Sequence, residues 1–404
     1  MKDVIIIGAG QSAGQCASSL RNGGFEGSIA IIGEENYPPY QRPPLSKGYL
    51  SGEVGLERVY TKKEAFYEGN SIELITGTRV NKINRNEKYI ELSSEENISY
   101  EKLVIATGSR VRKLDVEGSE LENIYYLRGI DDSQNVKNLI KNKHNLTIVG
   151  AGYIGLEVAA VAVKAGKSVS VIEMADRIMN RTVDPIISEY YEKLHKNYGI
   201  DIYLDTELQG FEGSKEVSKV ICSNLELDAE GVVIGAGILP NVELALEANL
   251  ECEDGILVNE FCETKDKDIY ACGDCTNHPN KLLNMRLRLE SVHNALEQAK
   301  TVASNIIGQK KEYNQIPWFW SDQYDHKLQI VGLSGEHDEV ILKGSMKEKR
   351  FLVFYLKRGH LISVNAVNSP KEFLICKTLV ANKIKLTSDI ILKKPVESLA
   401  EQTK

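Results

Sequence analysis

Short apolar runs of four or five residues, each closed by a glycine-containing turn and followed by a helix-compatible stretch, recur along the first three quarters of the chain. Val4-Ile5-Ile6-Ile7 runs into Gly8-Ala9-Gly10, and Leu146-Thr147-Ile148-Val149 runs into Gly150-Ala151-Gly152. Apolar runs of this length, with glycine bounds, read as fully buried strands of a parallel sheet rather than as alternating, half-exposed ones. Comparable runs lie at 29–32, 102–105, 169–172, 232–234 and 269–271, and a helix is predicted after Glu290, through Gln298 and beyond. From Trp318 the pattern changes to β-type runs such as Leu328-Gln329-Ile330-Val331 and Arg350-Phe351-Leu352-Val353-Phe354-Tyr355, which marks a separate C-terminal domain. No low-complexity linker separates the parts, so the modules are expected to pack closely.

The two glycine turns are of one kind: Gly8-Ala9-Gly10-Gln11-Ser12-Ala13 and Gly150-Ala151-Gly152-Tyr153-Ile154-Gly155. Each follows a strand and opens a helix, the context in which a glycine pattern signals dinucleotide binding. Glycines allow a tight bend and close backbone approach, so that a pyrophosphate rests on the unpaired N–H groups and positive dipole end of the helix. An acid for the ribose is expected about 20 residues further on. Glu34 and Glu173 stand at the ends of the next apolar runs. A carboxylate at Glu173 would accept hydrogen bonds from a ribose diol and repel a 2′-phosphate, which favours NADH over NADPH; Arg177 lies nearby in sequence. Two dinucleotide sites in one chain imply electron transfer between their occupants.

Composition agrees with a multidomain enzyme. The chain has 404 residues, 42% hydrophobic and 26% charged, with a net charge of −8. No apolar run reaches the roughly 20 residues of a membrane span, and the first strand starts close behind Met1, so a cytoplasmic protein without membrane or nucleic-acid partners is expected. Residues 316–404 carry 14 Lys and Arg against 10 Asp and Glu, so this end is relatively basic. That reads either as a solvated surface or as a docking face for an acidic partner. Seven irregularly spaced cysteines suggest reduced thiols, and none pairs with histidines at metal-site spacing, so no metal is expected.

Longer motifs make the chain recognisable. GAGQSAGQCA at Gly8, YQRPPLSKGYL at Tyr40, IATGSR at Ile105, GAGYIGLEVA at Gly150, GAGILPNVELA at Gly235, IYACGDC at Ile269, RLRLESVHNALEQA at Arg286 and PWFWSDQYDHKLQIVG at Pro317 together resemble flavin-dependent ferredoxin reductases of the putidaredoxin, rhodocoxin and biphenyl-dioxygenase type, and more distantly apoptosis-inducing factor. The resemblance implies an α/β protein with two Rossmann-like dinucleotide-binding domains of glutathione-reductase type and a small α+β C-terminal domain. FAD would be bound by 1–110 and 240–315, NADH by 111–239, with 316–404 as the C-terminal domain. It implies FAD contacts at Gly8, Gly10, Ala13, Glu34, Arg42, Lys47, Val80, Ala106, Thr107, Gly108, Asp274, Ser291, Val292 and Trp320, and NAD contacts at Gly150, Gly152, Tyr153, Ile154, Gly155, Glu173 and Gly237. Ala13 stands where the family has its third glycine, a position that governs helix–strand packing more than phosphate contact.

In Arg42-Pro43-Pro44-Leu45-Ser46-Lys47 two prolines stiffen the loop and fix where its cations point. By resemblance Arg42 and Lys47 contact the flavin, and Lys47 pairs with Glu157 across a domain interface as the chemically active pair. The helix containing Ser291, Val292, His293 and Asn294 resembles one whose positive end supports reduced flavin. His293 is read either as a proton donor or as a packing residue. Trp320 is read as an aromatic near the flavin edge or as a core residue. Cys272-Gly273-Asp274-Cys275 is not expected to be a redox pair, because Asp274 accounts for the motif and no redox cysteine lies in the 37–50 loop.

The implied reaction is hydride transfer from NADH to FAD and single-electron delivery to a transiently bound two-iron ferredoxin serving a haem monooxygenase or Rieske oxygenase. Arg286, Arg288, Lys310 and Lys311 are candidate docking cations, and the protein is expected to be a monomer or weak homodimer. An NADH oxidase or diaphorase, and an NADH-sensing binding protein like apoptosis-inducing factor, remain as alternatives.

Overall fold

The computed structural model describes residues 1–399; the last five positions of the expected 316–404 domain lie outside the described residues. The described chain divides into two compact units. The first comprises Met1–Gln41, Leu56–Arg110 and Leu239–Pro317; the second comprises Arg42–Gly55, Val111–Ile238 and the described residues from Trp318 onward.

The first unit is built on a seven-stranded sheet in which Ile72–Ile75, Ile29–Ile32, Lys2–Ile7 and Asn97–Ile105 lie side by side and parallel. Ile269–Ala271 adds in parallel beside Asn97–Ile105, while Tyr89–Leu92 and Val80–Asn84 continue from it as an antiparallel meander. Lys2–Ile7 is a central strand: Val4, Ile5 and Ile6 have no exposed surface, as continuous apolar runs of parallel sheets require. Its two faces bury different cores. Val4 and Ile6 pack with Ala13, Cys16, Ala17 and Leu20 of the helix Gln11–Asn22 and with Ala299, Val302 and Ala303 of the helix Val292–Ile306. Ile5 and Ile7 pack with Val80, Leu92, Leu103 and Ile269 on the other side.

The second unit carries a five-stranded parallel sheet ordered Asp201–Tyr203, Ser168–Ile172, Asn145–Val149, Gly231–Ile234, Ile124–Tyr126. The strand before the second glycine turn is again central. A three-stranded antiparallel sheet, Leu208–Gly213, Val217–Cys222 and Glu226–Asp228, is inserted in the chain between the strands Asp201–Tyr203 and Gly231–Ile234. The C-terminal part is a five-stranded antiparallel sheet of Trp318–Gln323, His326–Gly332, His360–Val367, Arg350–Lys357 and Glu339–Ser345, with the helix Pro370–Ala381 packed on its central strands. The fold is thus α/β with two Rossmann-like sheets and an α+β end. No helix among the described residues is long and apolar enough to cross a membrane.

Candidate functional site

In open parallel sheets ligands bind beyond the carboxyl ends of the strands where the order reverses. In the first unit three loops converge there. A Cβ on Gly8, whose φ is +105°, would lie 2.2 Å from the Ala106 carbonyl oxygen, so the first glycine turn is pressed against Ala106-Thr107-Gly108. That second loop is locked by Asn241, whose side chain donates to the Thr107 carbonyl at 2.9 Å and whose backbone N–H reaches the Gly108 carbonyl. The third loop, Cys272-Gly273-Asp274, closes in from the strand Ile269–Ala271: a Cβ on Gly273 would meet Ser12 Oγ at 2.6 Å, and Ser109 Oγ donates to Asp274 at 2.8 Å. Gly10, Ala106, Thr107, Gly108 and Asp274 are therefore gathered around one helix end.

That helix end is built to accept an anion. Gly10 is the N-cap of Gln11–Asn22 with no side-chain capping bond and no acid in the first turn, so its orphan N–H groups are unclaimed by side chains. A Cβ on Gly10 would meet nothing within 4 Å. The turn thus holds a backbone cradle with open space in front of it, which fits a pyrophosphate. Ala13, fully buried, contributes to the core, and the close approach falls one residue later: a Cβ on Gly14 would sit 2.8 Å from Pro39 Cβ. Glu34 is exposed and loosely paired with Arg79 at 3.8 Å. Val80 is buried in the core with Ile7 and Ile105. Ser291 is the N-cap of Val292–Ile306 and accepts from the Asn294 N–H at 3.1 Å, so its hydroxyl oxygen already serves the helix that Val292 begins.

The second unit repeats the arrangement. Gly150 has φ +96°, and a Cβ there would lie 2.6 Å from the Gly235 carbonyl. Gly152 is the uncapped N-cap of Tyr153–Lys164, with nothing within 4 Å of a Cβ. Here the third glycine is obligatory: a Cβ on Gly155 would lie 2.2 Å from the Gly150 carbonyl oxygen, whereas the first turn takes a methyl at the matching Ala13. Glu173 accepts the Ala151 N–H at 2.7 Å and the Ala175 N–H at 3.0 Å, which holds its carboxylate beside the turn. Arg177 donates to the Val183 and Asn180 carbonyls and so braces its own loop. Ile154 is 39% exposed, unusual for isoleucine, and Tyr153 packs edge-on to Phe319 at 4.4 Å while its hydroxyl accepts from Thr182. Gly237, at φ +90°, takes the Arg112 N–H on its carbonyl.

Arg42, Lys47 and Trp320 belong to this second unit. Pro43-Pro44 starts a single 3-10 turn, Pro43–Ser46, whose Leu45 carbonyl accepts from the fully buried Ser133 hydroxyl at 2.7 Å. Arg42 donates to the Arg128 carbonyl at 2.7 Å. Lys47 Nζ lies 2.7 Å from Glu157 Oε2; the carboxylate is 4% exposed and the lysine side chain 19%. Two hydroxyls complete the carboxylate's coordination, Ser46 on Oε2 and Ser321 on Oε1, each at 2.5 Å. Removing Lys47 would strand the buried Glu157 charge, a loss of about 3–5 kcal/mol for a buried pair. Sequence reasoning named the pair but missed both serines. Trp320 is half-buried and tilts against Trp318 at 5.5 Å between centroids.

All seven cysteines are free. Cys272 and Cys275 are fully buried, and burial pushes the Cys272 thiol well up and the Cys275 thiol up to about 11, away from the reactive thiolate. The expected docking cations divide. Arg286 donates to the Val258 and Asn277 carbonyls, and Arg288, 11% exposed, pairs with Asp254 and Glu290, so both brace the first unit instead of offering free charge. Lys310 lies over the Phe261 ring at 5.0 Å.

Comparison with known proteins extends these observations over the whole chain. Residues 2–299 match the model of the pyridine nucleotide-disulphide oxidoreductase family, and residues 318–400 match the reductase C-terminal family. The chain is 38% identical to putidaredoxin reductase of Pseudomonas putida over 96% of its own length and 94% of that protein. It is 36% identical to rhodocoxin reductase of Rhodococcus erythropolis over 96% and 91%. A crystal structure of the covalent putidaredoxin reductase–putidaredoxin complex superimposes with a TM-score of 0.96 at 37% identity, covering 99% of this chain and 98% of that one. The chain belongs to the pyridine nucleotide-disulphide oxidoreductase family.

Proposed function

We propose that the protein is an NADH-dependent, FAD-containing ferredoxin reductase that supplies single electrons to a two-iron ferredoxin. The observation that carries this reading is the pair of uncapped, glycine-started helix ends, one at the carboxyl edge of each parallel sheet, in a chain whose Cys-x-x-Cys thiols are buried and free. Full-length likeness to electron-transfer reductases supports it. FAD, when bound, takes two electrons from NADH as hydride and passes them on one at a time, a conversion that needs no protein thiol.

The chain's own residues supply binding, alignment and charge. Gly8 and Gly10, with Ala13 behind them, would hold the flavin pyrophosphate; Glu34 would hold its ribose. Ala106, Thr107, Gly108, Asp274, Ser291, Val292 and Val80 shape the remainder of that site; by family likeness we also assign flavin contacts to Arg42, Lys47 and Trp320. Gly150, Gly152, Tyr153, Ile154, Gly155 and Gly237 would hold NADH, with Glu173 favouring a ribose diol over a 2′-phosphate. Lys47, held by Glu157, would place positive charge where the reduced cofactor is negative. By cofactor, the chain divides into 1–110 with 240–315 for FAD, 111–239 for NADH and 316–404 as the C-terminal domain. A cytoplasmic protein, monomeric or weakly dimeric, accords with these roles.

Denaturing the purified protein and quantifying the released cofactor tests the first step: the reading requires one FAD per chain and bleaching of its colour by NADH far faster than by NADPH. A colourless protein that binds no flavin on reconstitution would contradict it.

A further inference from the structure

We infer that Ser321, Gln323 and His195 form a positioning relay that fixes the Glu157 carboxylate and, through it, the Lys47 ammonium. This rests on the proposed place of Lys47 and Glu157 in the flavin site. The relay lies wholly within the second unit. Ser321 and Gln323 are two residues apart on the strand Trp318–Gln323 and therefore project to the same side of the sheet. His195 comes from the helix Pro185–Asn197.

Every link runs in one direction. His195 Nε2 and Gln323 Oε1 are 2.7 Å apart; Gln323 Nε2 is 3.1 Å from Ser321 Oγ; Ser321 Oγ is 2.5 Å from Glu157 Oε1. At the far end the Tyr324 hydroxyl is 3.0 Å from His195 Nδ1. A neutral imidazole with its proton on Nε2 satisfies both contacts: it accepts from Tyr324 and donates to the Gln323 oxygen. The glutamine amide then donates to Ser321, and Ser321 donates to the carboxylate. Donors in series polarise one another, so the last link is stronger than an isolated hydroxyl would make it.

Ser321, Gln323 and His195 have no exposed surface, and Glu157 has 4%. Burying three neutral polar side chains is costly unless each is paired, and apolar residues of like volume would fill the same space with less penalty. Their shared product is one carboxylate held from two sides, by Ser321 on Oε1 and by Ser46 and Lys47 on Oε2. The amide suits the middle step because Gln323 accepts at Oε1 from one neighbour and donates from Nε2 to the next, which leucine, of similar volume, cannot do. Burial depresses the His195 imidazole to about 4, which keeps it neutral at ordinary pH. Tyr324 stacks on Tyr198, 40% exposed, at 3.7 Å, so the relay ends near solvent.

The test uses the holoenzyme after reductive 13C-dimethylation of its lysines, with the Lys47 signals assigned by their loss in Lys47→Arg. An ammonium held in one orientation gives two resolved methyl signals. Gln323→Leu and Ser321→Ala should merge them and lower kcat with NADH and ferricyanide about tenfold, leaving KM for NADH within about twofold. Ser321→Thr, which keeps the hydroxyl, should restore both readouts. Ser321→Ala keeps the test open if Gln323→Leu does not fold. Resolved Lys47 methyls and unchanged kcat in folded Ser321→Ala would overturn the relay. Merged methyls with unchanged kcat would support the relay and overturn the assignment of the Lys47–Glu157 pair to the flavin site.

Discussion

Gly8 and Gly10 stand two residues apart in one turn, and replacing each with alanine should produce opposite failures. At Gly8 the backbone has φ +105°, and a methyl would lie 2.2 Å from a carbonyl oxygen of another loop. The left-handed conformation alone costs an L residue roughly 1–2 kcal/mol. The overlap forces backbone to move, which brings Gly8→Ala to about 4 kcal/mol or more, the range of exceptional point mutations. At Gly10, with φ −89° and nothing within 4 Å of a Cβ, the fold has no objection to a methyl. Alanine is a poorer N-cap than glycine by about 1 kcal/mol or less, partly offset by about 0.4–1 kcal/mol of lost freedom in the unfolded chain. That methyl, however, stands in front of the bare helix end where a pyrophosphate must come close. We expect Gly10→Ala to melt within a few degrees of the wild-type apoprotein, about 1 kcal/mol or less in stability, yet to bind FAD at least about tenfold more weakly, about 1.4 kcal/mol. Apoprotein melting and fluorescence titration with FAD measure the two quantities. If Gly10→Ala keeps wild-type FAD affinity, the first helix end is not the flavin's phosphate cradle.

The same logic applies to NADH: Gly152→Ala should raise KM for NADH at least about tenfold without changing flavin content, measured with ferricyanide as acceptor. Glu173→Gln should narrow the preference for NADH over NADPH in kcat/KM by roughly tenfold, because the repulsion of a 2′-phosphate is removed while Arg177 stays tied to its own loop. Burial holds the His195 and His278 imidazoles down at about 4, from an ordinary value of 6.5. The unfolded chain then takes up protons that the native state refuses, so stability falls as pH drops through 6.5 and on to about 4. Each histidine accounts for about 3 kcal/mol of that loss; urea midpoints at pH 7 and near pH 4 should show it, and His278→Phe should reduce the slope. Cys272→Ala with Cys275→Ala should keep at least about half the ferricyanide turnover, since neither thiol is poised to react; lost turnover with flavin retained would contradict that.

Local features of the sequence were a good guide to this architecture. Glycine turns, apolar runs and the Cys-Gly-Asp segment are contiguous signals, and the two parallel sheets follow from them together with the rules of strand connection. The sequence also pointed to Lys47 and Glu157, 110 residues apart, but only through family likeness. What surrounds that pair left no local trace: Ser46 and Ser321 reach Glu157 across separations of 111 and 164 residues, and His195 meets Gln323 across 128. Arg286 and Arg288 read as free cations because a charge pattern does not reveal which carbonyls and acids lie opposite in space. Ser291, directly before an apolar-periodic run, caps the helix Val292–Ile306, in line with the helix expected after Glu290. The difference between Ala13 and Gly155 is likewise steric and becomes visible only with the neighbouring carbonyl in place.

Stopped-flow mixing of NADH-reduced protein with a panel of oxidised two-iron ferredoxins, under anaerobic conditions, tests the central claim most directly. The account predicts rapid reoxidation by at least one ferredoxin, with two ferredoxins reduced per NADH consumed. Reoxidation by oxygen alone, with every ferredoxin left oxidised, would contradict it.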